Sequence, residues 1–225
     1  MQFDADKISP KQNYKFLSGS IIPRPIAFVT TISADGNTVN AAPFSFFNII
    51  SNDPPLVSIT VQRVDDVKKD TSRNAEQNGE LIIHIVSESF VSDMNETAAR
   101  LNSDESELDR TSLHLERVNG FATPQIKEAK IKLLASLEKS IEIHNDTGVV
   151  TADLLIARVV RYDFSRDVFD EEKEYILPEF LDVVSRLSGN DYARLGERYT
   201  IRRQINLWVP CFFSFLMLEW GYLKC

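Results

Sequence analysis

Residues 26–48, Ile-Ala-Phe-Val-Thr-Thr-Ile-Ser-Ala-Asp-Gly-Asn-Thr-Val-Asn-Ala-Ala-Pro-Phe-Ser-Phe-Phe-Asn, carry the clearest indication of the fold. Residues 26–33 are rich in β-branched and aromatic side chains, which favours a strand. Asp35-Gly36 then separates two extended stretches, and glycine accepts the positive φ that tight hairpin turns demand. We therefore predict a β-hairpin whose second strand ends in the unusual run 40–48.

Further strands are expected on the C-terminal side of this hairpin. Residues 56–62 place Val57, Ile59 and Val61 at every second position, the period of a half-buried strand. Residues 80–86 are a second apolar run of strand length. Residues 131–143 fit either a strand or a helix, and the strand is favoured because residues 145–148 resemble a turn into the β-rich run 149–162.

Helices are expected to be few. The polar stretch 68–77 predicts a helix with Asp70 or Thr71 as its N-cap. Apolar residues 91, 94, 98 and 101 have helical spacing, which predicts an amphipathic helix with its apolar face inward. Many strands, few helices and hairpin turns together predict a mainly β fold, an antiparallel β-barrel with peripheral helices.

Composition excludes several classes of function. The chain has 225 residues and a net charge of −8, whereas nucleic acid and anionic membranes both need a basic face. Both cysteines lie near the C-terminus, so cysteine-based zinc, iron–sulfur and thiol chemistry have no ligands elsewhere in the chain. The N-terminus is polar and has no apolar segment typical of a signal peptide, so we expect a cytoplasmic protein.

Motifs for catalysis by side chains are absent from the sequence. The glycines never approach the spacing of a dinucleotide-binding fingerprint or a P-loop. His84 lies inside an apolar run, which favours a hydrogen-bonded structural histidine over a ligand. The acidic run at residues 104–109 (Asp104, Glu105, Glu107 and Asp109) is typical of a solvated surface. We therefore predict no metal site and no catalytic side chains, and expect a cofactor to carry the chemistry.

Two segments are candidates for binding such a cofactor. The run 40–48 sets small residues and a proline beside three phenylalanines, with Ser45 and Asn48 as hydrogen-bond donors, which suits a flat ring. The alternative is a corner whose phenylalanines fill the end of the barrel. Basic residues 63, 68, 69 and 73 surround a predicted helix start, which suits an anion. The alternative is a solvated basic loop.

Several motifs, taken in order, resemble the flavin reductase-like family, which has the FMN-binding split-barrel fold. The motifs are residues 24–31, 35–36, 40–48, 53–55, 69–71, 94–98 and 185–193. The resemblance implies a homodimer that holds FMN in a cleft near the subunit interface. The FMN contacts it implies are Thr30 and Thr31 along the ring or ribityl chain, Ala42, Pro43, Phe44, Ser45 and Asn48 on ring and tail, and Lys69, Asp70 and Thr71 at the phosphate, with Arg63 and Lys68 as weaker candidates.

The resemblance also implies an activity. Members typically use NADH or NADPH to reduce a flavin, and some supply reduced flavin to a partner monooxygenase. We therefore expect an FMN-binding oxidoreductase that acts as an NAD(P)H-dependent flavin reductase. The alternatives are a non-catalytic FMN-binding or electron-carrier protein, and a dimeric barrel that has lost its cofactor and serves as an interaction module. Retention of the motifs at 43–45 and 69–71 speaks against the last.

The C-terminal segment departs from the rest of the chain. The resemblance ends near residue 203, which predicts a domain at 1–203 and an atypical apolar tail at 204–225. Both tryptophans and both cysteines lie in this tail. A membrane span is not favoured, because the run 207–223 contains Pro210 and Glu219 and is shorter than the ~20 residues a spanning helix needs. The tail is then a dimer-packing extension, a frame or stop-codon alteration that appended unselected sequence or, least favoured, a weak membrane-contacting tail.

Overall fold

The structure is a computed structural model that describes residues 1–98 and 105–202. Its α-helices are α1 (Pro10–Ser20), α2 (Asp70–Asn78) and α3 (Val91–Glu96). Its strands are β1 (Ala27–Ile32), β2 (Val39–Phe44), β3 (Phe47–Asn52), β4 (Pro55–Gln62), β5 (Glu80–Ile85), β6 (Leu115–Glu116), β7 (Gln125–Ile126), β8 (Ile131–His144), β9 (Val150–Phe164), β10 (Phe169–Asp170), β11 (Tyr175–Ile176), β12 (Val184–Arg186) and β13 (Tyr192–Arg194).

One antiparallel sheet of seven strands organises the molecule, in the order β2-β1-β5-β8-β9-β4-β3. Strands β2 and β3 are joined by only Ser45 and Phe46, yet they lie at opposite ends of this order. The sheet must therefore curl until its two ends meet. The predicted mainly β fold, an antiparallel barrel with peripheral helices, is confirmed.

The core explains why β1 lacks the alternating pattern of a half-buried strand. Ala27 and Val29 belong to one buried cluster together with residues of β4, β5, β8 and β9, which fills the barrel. Phe28 points to the other face, where it packs with Phe90 and with Met94 of α3. Both faces of β1 are thus covered, and a strand buried on both faces reads as a continuous apolar run.

Strand β4 shows the predicted alternation. Val57, Ile59 and Val61 are all buried, and Ile59 and Val61 are fully enclosed. The choice between helix and strand at residues 131–143 is also settled, because β8 pairs with β9 over most of its length. The turn between them is held by the Asn145 side chain, which accepts hydrogen bonds from the backbone N–H groups of Thr147 and Val149.

The histidine prediction is confirmed. His84 on β5 is fully buried, and its Nδ1 lies 2.8 Å from the carbonyl oxygen of Phe28. The backbone N–H of Ile126 donates to Nε2 at 2.9 Å, so the ring carries its proton on Nδ1. The imidazole therefore joins β5, β1 and β7 and serves the structure.

The helix predictions need correction at three places. The N-cap of α2 is Lys69, and Asp70 is already the first helical residue. Helix α3 ends at Glu96, and the predicted apolar position 101 lies outside the described residues. Helix α1 has no amphipathic pattern in the sequence, because only Ser18 on it is buried, although Ser9 as N-cap and Pro10 at the first position are ordinary start signals.

The chain divides into a large unit, Met1–Leu195, and a second one, Gly196–Cys225, which the structure describes only to Arg202. The whole of the predicted tail at 204–225, with both tryptophans and both cysteines, therefore lies outside the described residues. Within the described part of the chain, no helix has the length and apolar character needed to cross a bilayer.

Candidate functional site

A cleft of about 450 Å³ opens beside β2, near the place where the two ends of the sheet meet. Its walls are β2, the loop after β4, the first turn of α2 and the short segments around Thr97 and Glu107. The sequence-predicted residues that line it are Ala42, Pro43, Phe44, Lys68, Lys69, Asp70 and Thr71. Asn40, Val64, Asp65, Val67, Arg73, Thr97, Ala98 and Glu107 complete the lining.

Strand β2 supplies a wall of small and apolar groups. It is an end strand of the sheet, where proline is tolerated because one edge needs no ladder hydrogen bonds. Pro43 pairs with Phe28 on β1, so the wall rests on a strand that is buried from Ala27 to Thr31. Ala42 and Pro43 have no bulky flexible side chains, and a flat ligand can approach the backbone closely there.

The start of α2 forms the polar end of the cleft. Its first intrahelical bond runs from the N–H of Arg73 to the carbonyl of Lys69 at 3.1 Å, so the N–H groups of the three residues in between precede the helical ladder. Such N–H groups, with the partial positive charge of the helix end, favour an anion. Asn40 donates to the Thr71 hydroxyl at 2.9 Å, which fixes that side chain at the same place.

The charged groups of the cleft are of both signs. Three lining residues are basic (Lys68, Lys69 and Arg73) and three are acidic (Asp65, Asp70 and Glu107). Arg73 is paired with Asp70, and Lys68 Nζ lies 2.7 Å from a carboxylate oxygen of Glu76. Lys69 Nζ lies 5.8 Å from the centre of the Phe44 ring, between the helix start and the apolar wall. The basic residues and the helix start suit an anionic end of a ligand, and the acidic residues can accept hydrogen bonds from donor groups elsewhere on it.

Glu107 corrects the prediction of a solvated acidic run. It is only 8% exposed, and its Oε2 accepts a hydrogen bond from the backbone N–H of Ala41 at 3.2 Å. Burial raises the pKa of this carboxyl, and the nearby charge of Asp70 raises it further. Asp109 of the same run is exposed, as predicted. A run of acidic letters does not reveal which of its members turns inward.

The loop between β4 and α2 is anchored by a buried ion pair. Arg63 Nη2 lies 2.6 Å from Oδ1 of Asp153, whose side chain is fully buried, and Arg63 Nε makes a second contact with the same carboxylate. Glu142 lies 2.6 Å from the same guanidinium. The hydrogen bonds to Asp153 raise the pKa of Arg63, as does Glu142. Arg63 therefore holds the base of the loop that carries Lys68 and Lys69, and it does not line the cleft.

A smaller cavity of about 200 Å³ adjoins the cleft and shares Pro43, Phe44 and Lys69 with it. Ser45 lines this second cavity. Behind it, Arg24 is 6% exposed and donates to three backbone carbonyls, those of Ser18, Ile21 and Leu187. Arg24 thereby ties the corner after β2 to α1 and to the C-terminal part of the large unit.

The remaining predicted site residues lie away from the cleft lining. Thr30 is fully buried and donates to the carbonyl of Pro124 at 2.8 Å. Thr31 is also fully buried, and its hydroxyl accepts from Asn40, so it supports the cleft from behind. Asn48 accepts from the backbone N–H of its neighbour Ile49 on β3. The sequence predicted the strands that carry these residues, but it did not predict which of their side chains face the cleft.

Comparison with known proteins agrees with this geometry. Residues 18–178 match the family model described as flavin reductase like domain. The chain is 54% identical over 201 residues to an uncharacterized Bacillus subtilis protein, YwrF, covering 89% of this chain and 98% of that one.

Solved structures give the same result. Nitrilotriacetate monooxygenase component B from Bacillus cereus superposes with a TM-score of 0.85 at 41% identity, covering 89% of this chain and 98% of the other. The Pseudomonas fluorescens 2-nitrobenzoate 2-nitroreductase NbaA superposes with a TM-score of 0.80 at 27% identity, covering 93% and 98%. A curled antiparallel sheet with a cleft at its meeting ends, matched over most of its length by these proteins, identifies the chain as a member of the flavin reductase-like family with the split-barrel fold.

Proposed function

We propose that this protein binds FMN in the 450 Å³ cleft and reduces flavin with electrons from NADH or NADPH. The observation that carries the proposal is the pairing of an anion-binding helix start with an apolar wall inside one cleft. The volume falls in the ~300–1,000 Å³ range typical of small-molecule sites. Membership in the flavin reductase-like family supports an oxidoreductase.

The residues present fit FMN on chemical grounds. The N-terminal N–H groups of α2, the Thr71 hydroxyl and the ammonium of Lys69 suit a phosphate. Ala42, Pro43 and Phe44 offer the apolar wall that a flat ring system needs. Lys68 is partly committed to Glu76, so it contributes charge rather than a dedicated contact.

The protein would act mainly by holding and orienting its ligands. A bound flavin would supply the redox chemistry, by accepting a hydride from a reduced nicotinamide and passing electrons onward. Strand β2 would orient the ring, the first turn of α2 would hold the phosphate, and the Arg63–Asp153 pair would keep the loop with both lysines in place. Hydride transfer to a bound flavin in this way requires no protein side chain as general acid or base.

The test is reduction of bound flavin. The purified protein is mixed with FMN, freed of excess flavin, and titrated anaerobically with NADH and with NADPH while the flavin absorbance bands are followed. Bleaching by either nucleotide supports the reductase. Uptake of FMN that neither nucleotide bleaches would favour a non-catalytic FMN-binding or electron-carrier protein, and failure to take up flavin would contradict both.

We further propose a homodimer and a partner monooxygenase. The dimer is supported by the end strand β3, which exposes Ile49 and Ile50 at 75% and 48%. The partner is supported by the similarity to a protein whose name is nitrilotriacetate monooxygenase component B.

The dimer is tested by light scattering. A monomeric mass would contradict it, and the substitution I49K should shift a dimer toward monomer.

A further inference from the structure

Glu107 is a buried carboxylate on the wall of the proposed flavin cleft. Its Oε2 is held by the backbone N–H of Ala41 at 3.2 Å. The segment that carries it is fixed on both sides: the Ser106 hydroxyl donates to the carbonyl of Val39 at 2.7 Å, and Leu108 is buried in the cluster that contains Phe90. The carboxyl is thus placed in the cleft by the fold and is not a mobile surface group.

A carboxylate is an unusual lining group for a site that binds a phosphate, because the two anions repel each other. A buried carboxylate needs hydrogen-bond donors, and the Ala41 N–H supplies one. The backbone N–H of Glu107 itself is a second donor, and a ligand part that carries N–H or O–H groups can supply others to a carboxylate on the cleft wall. Phosphate oxygens cannot supply them, whereas a polyol chain can.

The order of residues along β2 indicates which part of a flavin would meet Glu107. Asn40 is bonded to Thr71 at the start of α2, and the next residue, Ala41, is bonded to Glu107. The apolar wall of residues 42–44 follows. Since a strand advances about 3.3 Å per residue, Glu107 lies between the anion-binding end and the wall suited to the ring. In FMN the ribityl chain joins these two parts.

We propose that Glu107 accepts hydrogen bonds from the ribityl hydroxyls of the flavin and thereby selects flavins that carry this chain. The inference rests on the proposed flavin site and adds a specificity determinant to it. Lys69 and the start of α2 would read the phosphate, and Glu107 would read the hydroxyls. The two recognition elements act on different parts of one ligand, so they can be separated by the choice of flavin.

The experiment compares E107Q with D109N, an exposed control on the same short helical segment. Dissociation constants are measured for FMN, for riboflavin, which lacks the phosphate, and for lumiflavin, which has a methyl group in place of the ribityl chain. Ribitol 5-phosphate serves as a ring-free competitor. We expect E107Q to weaken riboflavin about five- to tenfold, to weaken FMN and ribitol 5-phosphate somewhat less because the substitution also removes the repulsion of their phosphate, and to leave lumiflavin unchanged. D109N should change none of them.

The outcomes are distinguishable. An equal loss for lumiflavin would overturn the inference, since it would indicate a ring contact or a general structural defect. A loss confined to the two phosphate-bearing ligands, or no loss at all, would also overturn it. Melting temperatures of the ligand-free variants check that E107Q is folded. If the unaltered protein binds none of the flavins, the proposed function itself fails, and the inference fails with it.

Discussion

Replacement of Lys69 by alanine is the most direct test of the anion-binding end of the cleft. Lys69 is the N-cap of α2, and its ammonium lies 5.8 Å from the centre of the Phe44 ring, inside the cleft. A hydrogen bond to a charged group contributes about 1.5–3 kcal/mol, so K69A should weaken FMN by about 10- to 150-fold. Riboflavin has no phosphate, and its affinity should fall less than about twofold.

The neighbouring Lys68 provides the matched control. Its Nζ lies 2.7 and 2.8 Å from the two carboxylate oxygens of Glu76 and 3.9 Å from Asp153. Because this ammonium is already paired at a partly exposed position, K68A should weaken FMN by less than about fivefold. Titration of the flavin-free unaltered protein and of both variants, followed by flavin fluorescence, measures these dissociation constants. Equal weakening of FMN and riboflavin by K69A would refute the phosphate assignment.

Three further predictions concern stability. Burial, opposed by the Phe28 carbonyl, lowers the pKa of His84 from 6.5 to about 4. Between pH 6.5 and about 4, His84 is therefore protonated in the unfolded chain but not in the folded chain. The free energy of unfolding should fall by about 3 kcal/mol as the pH drops through this range. Urea titrations at several pH values check this, and a pH slope that stays the same in H84Q would contradict it. R63M leaves the carboxylate of Asp153 buried without its main partner and should lower the free energy of unfolding by about 3–5 kcal/mol. The double variant R63M/D153L should restore most of this loss. A double variant as unstable as the single one would argue against a paired role. Gly79 ends α2 with φ of 72°, so G79A should lower the free energy of unfolding, measured by chemical denaturation, by about 1 kcal/mol. The control G196A, at a position without positive φ, should leave it unchanged.

The sequence carried most of the fold because its patterns were local. The period of two in β4 and the turn before β9 each follow from neighbouring residues, and the structure has both. Helix α1 was missed because its apolar side chains remain largely exposed and therefore leave no amphipathic period. A periodic pattern of apolar residues indicates which face of an element is buried, so an element that buries few side chains is difficult to predict from the sequence.

The candidate site was less accessible to sequence reasoning because it depends on side-chain direction. Lys69 and Pro43, which the resemblance names as FMN contacts, line one cleft, whereas Thr31 from the same resemblance lies behind it. Glu107 was hidden within a run of acidic residues that gave no sign of an inward member. Asp153 did leave a signal, a single carboxylate inside the apolar run of β9, which marks a buried partner for a cation.

The two-residue connection between β2 and β3 has a consequence for ligand binding. Within the described part of the chain, no backbone ladder joins these two strands, and residues of β2 line both cavities. A ligand can therefore bind beside β2 without breaking ladder hydrogen bonds on that edge, so ligand binding is separated from the cohesion of the sheet. Variation of the residues that line these cavities can change what is bound while the seven-stranded framework keeps its stability.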